Sequence, residues 1–314
     1  MTKQIRTNQT RTTALRVRCN RHLAPSCFFP LVCATMTACS APAQVPQFDH
    51  VVVVVMENHS FSQILGNANA PYINGLAGEN ANFTQSFAIE HPSQPNYLDL
   101  FSGSNQGVTD NSCPHTFHAA NLGGQLIASG FTFAGYSEEL PAAGSTVCSA
   151  GTAPYTYQRK HNPWVNFSDV PPESNQPFTA FPSDFTTLPT LSFVIPNQCN
   201  DMHNLSGCPI SPPVTSGDTW LQAHIDAYAQ WAKTHDSLLI ITFDEDDGSQ
   251  GNQIATIVAG SLVIPGNYGD TINHYSMLAT LQAIYGLTPP LAAAANNASI
   301  SNVWDTRLFR DGFE

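Results

Sequence analysis

Of 314 residues, 23 are Asp or Glu and 11 are Lys or Arg, a formal charge of −12, and six of the basic residues fall in the first 44 positions, where there is no acid. Past that point five basic residues stand against 23 acidic ones, a formal charge of −18. Such a surface repels nucleic acid and anionic membranes, because phosphate is bound by Lys and Arg that displace its counterions, so no nucleic-acid-binding role is expected. An anionic substrate would then need another receiver, and a bound divalent cation is the obvious one.

Residues 1–44 read as a secretory signal peptide. Lys3, Arg6, Arg11, Arg16, Arg18 and Arg21 make a basic start, Leu23 to Ala38 an apolar run, and Ala41 and Ala43 an Ala-x-Ala cleavage site. Pro25 and Pro30 break the apolar run, which is too short to span a membrane. "MTAC" is a loose lipoprotein box around Cys39, but Met36 fits it poorly, so cleavage after Ala43 is preferred. A secreted or periplasmic protein without a transmembrane span is expected. Cys113, Cys148, Cys199 and Cys208 remain, an even number that points to two disulfides. Pairing 113 with 148 and 199 with 208 closes the two shortest loops; a zinc site would want closer Cys-x-x-Cys spacing.

In chain order, "HVVVVVMENHSF" (50–61) is a β-branched run ending at Glu57, which predicts a strand buried on both faces. "HPSQPNY" (91–97) holds Ser93 between two prolines, and "YLDLFSG" (97–103) reads as the helix it opens, with N-terminal amides suited to phosphate. "KHNP" (160–163) brings Lys160 and His161. "LSFVIPN" (191–197) is a second buried strand, and "CNDMHN" (199–204) puts Asp201 and His203 inside a loop stapled by Cys199 and Cys208. "SGDTWLQAHIDAYAQWAKTH" (216–235) predicts one helix, with Leu221, Ile225, Tyr228 and Ala232 at helical spacing and Ser216 or Asp218 as its cap. "SLLIITFDEDDG" (237–248) is a third strand, running into four acids. "HYSMLATLQAIYG" (274–286) is a helix with Leu278, Leu281 and Ile284 on one face, stopping at Gly286. Buried strands alternating with amphipathic helices predict an α/β fold with a mostly parallel central sheet and helices on both faces. One domain over 45–290 and a tail over 291–314 are expected, the final "LFRDGFE" being a sorting signal or a disordered end.

Polar residues begin where each of the three apolar runs stops, and ligands of open α/β sheets bind outside the carboxyl ends of the strands. Glu57 and Asn58, Asp201 and His203, and Asp244 and Glu245 would therefore gather along one edge. Clustered carboxylates repel and raise one another's pKa unless a cation holds them, and carboxylate and amide oxygens suit a hard divalent ion. Beside such an ion Ser93 is placed as a phosphate-accepting nucleophile. His274, at a helix N-terminus, sits where backbone N–H groups favour an anion. Solvated strand ends and an acidic surface turn are the bland alternatives for the carboxylates.

These motifs, from "MENHSF" through "HPSQPNYL", "KHNP", "PNQCNDMH", "GDTWL" and "FDEDDG" to "HYSMLATL", resemble the secreted phosphoesterase family. That family joins bacterial acid phosphatases, phosphatidylinositol-3-phosphatase-like enzymes and phospholipases C within the alkaline phosphatase superfamily. The resemblance runs from about Phe48 to Leu287 and implies an alkaline-phosphatase-like fold. It implies Glu57, Asn58, Asp244 and Glu245 as metal ligands, together with Ser93, the nucleophile, whose oxygen the ion would bridge to the phosphoryl group. His203 and His274 become candidates for protonating the leaving group, while Asn96, His91, Lys160, His161 and Asp201 would contact substrate. Many relatives follow the Asp-Glu pair with His or Asn and then glycines; Asp246 and Asp247 stand here before Gly248, which leaves the number and identity of the metals open.

The expected activity is that of a metal-dependent phosphomonoesterase acting through a phosphoserine on a small-molecule or lipid substrate. A mildly acidic optimum would suit histidine acids in a chain of this charge. A phospholipase C-type diesterase is the alternative, although such relatives tend to carry extra C-terminal β-domains and only about 27 residues follow Leu287. A sulfatase would need Arg where Tyr97 stands. A non-enzymatic metal- or carbohydrate-binding protein explains the carboxylates but neither the fixed serine nor the histidines. Substrate identity and oligomeric state are not encoded in these patterns.

Overall fold

β-Branched side chains suit a pleated strand packed on both faces, and the five valines after His50 occupy such a position. The computed structural model describes residues 45–203 and 205–305, which belong to one compact unit. The expected signal peptide, Cys39 and "LFRDGFE" lie outside those residues. In chain order the strands are β1 (His50–Met56), β2 (Ala81–Phe87), β3 (Phe133–Ser137), β4 (Ser149–Thr152), β5 (Tyr155–Gln158), β6 (Asn175–Pro177), β7 (Leu191–Ile195), β8 (Ser237–Phe243), β9 (Gln253–Gly260), β10 (Gly266–Tyr268) and β11 (Ile272–Asn273). The α-helices are α1 (Phe61–Ile64), α2 (Pro71–Glu79), α3 (Ser93–Ser102), α4 (Leu122–Ala128), α5 (Pro213–His224), α6 (Asp226–Ala232) and α7 (His274–Ile284).

A nine-stranded sheet runs β10-β2-β9-β8-β1-β7-β3-β6, with β11 also on β2; β4 and β5 form a separate hairpin. β8, β1, β7, β3 and β6 are mutually parallel, and β9 is antiparallel to both its neighbours. Val51, Val53 and Val55 face an apolar layer built with α3, α4 and α7, and Val52, Val54 and Met56 face one built with α1, α2, α5 and α6. The mostly parallel sheet with helices on both faces is thus the architecture found. Both disulfides are the short-loop ones, Cys113–Cys148 and Cys199–Cys208, with Cα separations of 5.9 and 5.5 Å. Among the described residues no helix is long and apolar enough to cross a membrane.

Two expectations need correction. The single helix over 216–235 is two helices, and the first starts at Pro213, whose ring suits a first helical position that needs no N–H donor. Asp218 caps a different helix: its carboxylate accepts the Tyr72 and Ile73 N–H groups of α2 at 3.1 and 2.8 Å. After the break at Ile225, Tyr228, Ala229 and Ala232 still face the sheet, so the helical spacing of the apolar residues outlasted the helix. The second correction concerns the domain end. Leu291, Ile300, Val303 and Trp304 are buried in the same layer as α7, so packing continues to residue 305.

Candidate active site

The carboxyl ends of β8, β1 and β7 lie side by side, and backbone bonds tie the segments that leave them. Glu57 N–H donates to Asp201 O at 2.8 Å, and Asp244 N–H donates to Met56 O at 2.9 Å. Asn58 adopts a left-handed conformation (φ 51°), which Asn tolerates better than most residues, and its N–H donates to Asp244 Oδ1 at 3.0 Å. Three pairs read separately from the sequence therefore form one cluster.

Ser93 is the first residue of α3, a helix whose ten residues are all buried. Pro92 is its N-cap and Pro95 lies in its first turn, where a missing N–H leaves no bond unmade. Ser93 Oγ lies 3.2 Å from Glu57 Oε2 and 3.0 Å from Glu245 Oε1, a hydroxyl whose one hydrogen faces two carboxylates. The loop before it is held by Asn96, whose Oδ1 accepts the Ile89 and Glu90 N–H groups and whose Nδ2 donates to the Glu90 and Pro92 carbonyls. Asn96 is fully buried and its amide is saturated, so it shapes the loop that presents Ser93. The helix terminus offers an anion less than expected as well. Gln94 N–H already donates to Asn111 Oδ1 at 3.0 Å and Pro95 has no N–H, which leaves the Ser93 amide.

The stapled loop after β7 delivers Asp201 and His203 through a strained residue between them. Met202 has φ 79°, unfavourable for a side chain with a Cβ, yet it is fully buried. A Cβ on Gly217 of α5 would lie 2.4 Å from Met202 Cγ, so glycine there makes room for the Met202 side chain. With Met202 turned down into the apolar layer, Asp201 Oδ1 accepts His203 N–H at 2.7 Å, and His203 Nδ1 sits 2.8 Å from Asn58 Nδ2 and 3.6 Å from Glu57 Oε2. With Asn58 donating, the ring hydrogen of neutral His203 lies on Nε2.

The other basic groups take different places from those expected. His161 is buried, its Nε2 3.0 Å from Glu57 Oε1 and its Nδ1 3.9 Å from Asp201 Oδ2, so it backs the cluster from beneath. His274 is also buried, and its Nε2 bonds to the Asp244 carbonyl at 2.7 Å. His91 is the exposed one, with Nδ1 2.6 Å from Glu245 Oε2 and Nε2 3.4 Å from Asp246 Oδ1. Lys160 makes no hydrogen bond or ion pair among the described residues and acts on Glu57, Asp201 and Asp244 through space. Asp246 belongs to the loop: its carboxylate accepts the N–H groups of Gly248, Gln250 and Asn252, while Asp247 is exposed. Asn252 is marked by no pattern in the sequence, and Tyr97 enters there only as the residue standing where a sulfatase has Arg. Asn252 links that loop to the nucleophile loop through the Glu90 carbonyl at 3.0 Å. Tyr97 stands one helical turn from Ser93, a spacing that puts both on one helix face and could have signalled it.

Burial pushes the Asp201 and Asp244 carboxyls far above the ordinary range, and the Glu57 charge pushes them further. Burial works on Glu57 too, but His161, His203 and Lys160 face it and hold it below the ordinary range, so Glu57 is the ionised member. Burial lowers His161 to about 3 against the pull of Glu57, and lowers His274 to about 4 against its bond to Asp244, so both rings are neutral near pH 7. Among the described residues no three His, Cys, Asp or Glu side chains are already drawn together around an ion position. The donor chemistry nevertheless fits a divalent cation. Asp244 Oδ2 and Asp201 Oδ2 are buried without a hydrogen-bond partner, and such oxygens need a proton or a cation.

Comparison with known proteins identifies the family of the chain. A model described as the phosphoesterase family matches residues 67–288. The chain is 52% identical over 267 residues to a phosphatidylinositol-3-phosphatase of Mycobacterium tuberculosis, covering 84% of this chain and 85% of that one. It is 30% identical over 255 residues to a phosphate-repressible acid phosphatase of Penicillium chrysogenum, covering 76% of this chain and 60% of the fungal one. A Vibrio parahaemolyticus protein of the alkaline phosphatase superfamily shares the fold, with a TM-score of 0.55 at 14% identity over 79% of this chain and 69% of that one.

Proposed function

The chain belongs to the phosphoesterase family, and from that premise we propose that it is a secreted, metal-assisted phosphomonoesterase whose nucleophile is Ser93. The observation that carries this reading is Ser93 Oγ, held at the start of a buried helix 3.0 Å from Glu245 Oε1 and 3.2 Å from Glu57 Oε2. Ser93 Oγ attacks phosphorus while the bond to the leaving oxygen breaks, and its hydrogen passes to the facing carboxylate. His203, as the imidazolium with its Nδ1 hydrogen toward Glu57 Oε2 at 3.6 Å, gives its Nε2 proton to the leaving alkoxide and is left neutral. Water then attacks the phosphoserine and releases inorganic phosphate. Lys160, the free cation beside the cluster, offsets the phosphoryl charge. Asp244, Glu57, Asn58 and Asp201 would hold a divalent cation, which supplies Lewis-acid stabilisation of the phosphoryl oxygens. Secretion is supported by the basic and apolar leader and by two disulfides, which persist in oxidising compartments.

The mycobacterial relative makes a phosphoinositide monoester the first lipid substrate to try, beside an aryl phosphate as a general probe. The test is phosphate release from both, with and without chelator, by wild type and Ser93→Ala. We expect the serine variant to lose on the order of 10³-fold or more in kcat and the chelated wild type to fall silent. A wild type that cleaves an aryl diester but no monoester would replace this reading with the diesterase one.

A further inference from the structure

Glu57 divides its two oxygens. Oε2 faces the reaction centre, 3.2 Å from Ser93 Oγ and 3.1 Å from Asn58 Nδ2. Oε1 faces inward, where the Tyr97 hydroxyl donates to it at 2.6 Å; His161 Nε2 lies 3.0 Å away without forming a hydrogen bond. The Tyr97 and His161 rings stack, with centroids 5.1 Å apart and planes 21° apart, and both residues are 1% exposed. Tyr97 comes from the same helix as Ser93, one turn on, whereas His161 comes from a 3₁₀ turn at Arg159–His161. That turn is itself anchored. The Arg159 guanidinium donates to the carbonyls of Thr146 (2.8 Å), His115 (3.1 Å) and Val165 (3.3 Å) and to Asn166 Oδ1, with no carboxylate partner.

We propose that Tyr97 is a positioning residue that clamps Glu57 Oε1, with the stacked His161 ring holding the tyrosine in place, and so dedicates Oε2 to Ser93 and to the divalent ion. The clamp explains two features that the proposed chemistry leaves over: a buried tyrosine hydroxyl on a carboxylate, and a buried histidine stacked on that tyrosine. Without the clamp the Glu57 side chain can rotate about its terminal torsion and exchange its oxygens, and the fixed geometry at Ser93 is lost. Partners behind a ligating carboxylate are typically worth 10- to 100-fold in ion affinity or activity.

This inference rests on the phosphomonoesterase reading, and the test separates the two. Chelator-stripped wild type, Tyr97→Phe, His161→Gln and His161→Ala are titrated with Mn²⁺ by calorimetry, their melting temperatures are recorded, and kcat and KM are measured on an aryl phosphate. Tyr97→Phe keeps the ring and loses the donor, so we expect Mn²⁺ binding about 10- to 100-fold weaker and kcat reduced with KM little changed. His161→Gln keeps most of the side chain packed against the Tyr97 ring and should retain more affinity than His161→Ala. Wild-type Mn²⁺ affinity and kcat in folded Tyr97→Phe would overturn the clamp and leave the nucleophile assignment intact. If Tyr97→Phe does not fold, equal Mn²⁺ affinities in His161→Gln and His161→Ala overturn it instead. A wild type that neither binds Mn²⁺ nor releases phosphate would take down the functional reading itself.

Discussion

His203 and His274 were equal candidates for the leaving-group acid when read from their neighbours in the chain, and their surroundings separate them. His203 is half-buried and bonds through Nδ1, whereas His274 is buried and uses Nε2 on a backbone carbonyl. His203→Asn should therefore lower kcat on an alkyl phosphate by about 10²- to 10⁴-fold, and by much less on an aryl phosphate whose leaving group needs no proton. Steady-state kinetics on the two substrates checks it; equal losses on both would remove His203 from this role. Asp99, in the middle of α3, is a second residue-scale case. Burial, with the Glu90 charge adding and the Tyr275 hydrogen bond opposing, pushes its carboxyl up to about 7. A folded pKa above the ordinary 3.8 means that the fold favours the neutral acid, so stability falls as pH rises from about 4 through 7. Asp99→Asn keeps an acceptor for Tyr275 and removes that penalty. It should match wild type near pH 4 and exceed it by up to about 4 kcal/mol at pH 8, read by denaturant unfolding at both values.

At the scale of elements, the site depends on how α5 meets the loop after β7. Gly217→Ala would place a methyl 2.4 Å from Met202 Cγ and 2.8 Å from Met56 Cε. The expected cost is about 1–3 kcal/mol of stability, with a drop in kcat larger than the melting shift explains, because Met202 carries Asp201 and His203 on either side. Thermal unfolding alongside activity at a temperature where the variant is fully folded checks it; full activity there would show that the loop holds its shape without Met202 buried. Asp218 makes a related point. It lies on α5 but caps α2, so the two helices are fastened at one point on the same face of the sheet.

Across the whole molecule, charge works against the proposed chemistry. With the leader removed the formal charge is −18, and among the described residues the Arg159 and Lys233 charges are already engaged, Lys233 by Glu79 at 3.0 Å. Lys160 alone leaves an anionic substrate approaching a repulsive field. Raising ionic strength from about 10 to 200 mM, which shortens the screening length from about 30 Å to under 10 Å, should lower KM for an anionic monoester several-fold while leaving kcat nearly constant. A KM that rises with salt would mean that attraction, not repulsion, governs substrate capture.

The three strands, their order of polar endings and the parallel sheet were legible in the sequence because each rests on a local pattern: a run of β-branched residues, then a carboxylate. The short-loop disulfides were legible for the same reason, since loop closure depends on spacing along the chain. Ser93 stood out through the prolines that shape its own backbone. What only the tertiary structure decided are the partners that each side chain meets. Asn96, His161 and His274 have the right chemistry for a substrate contact, yet each is buried: the Asn96 amide closes its own loop onto Ile89 and Glu90, while His161 and His274 meet Glu57 and Asp244 of distant segments. Asp218 caps a helix more than a hundred residues away, and Tyr97 finds Glu57 only because α3 packs beneath the end of β1. A hydrogen bond is satisfied by whichever group the fold brings within about 3 Å, and that distance depends on packing across the whole sheet.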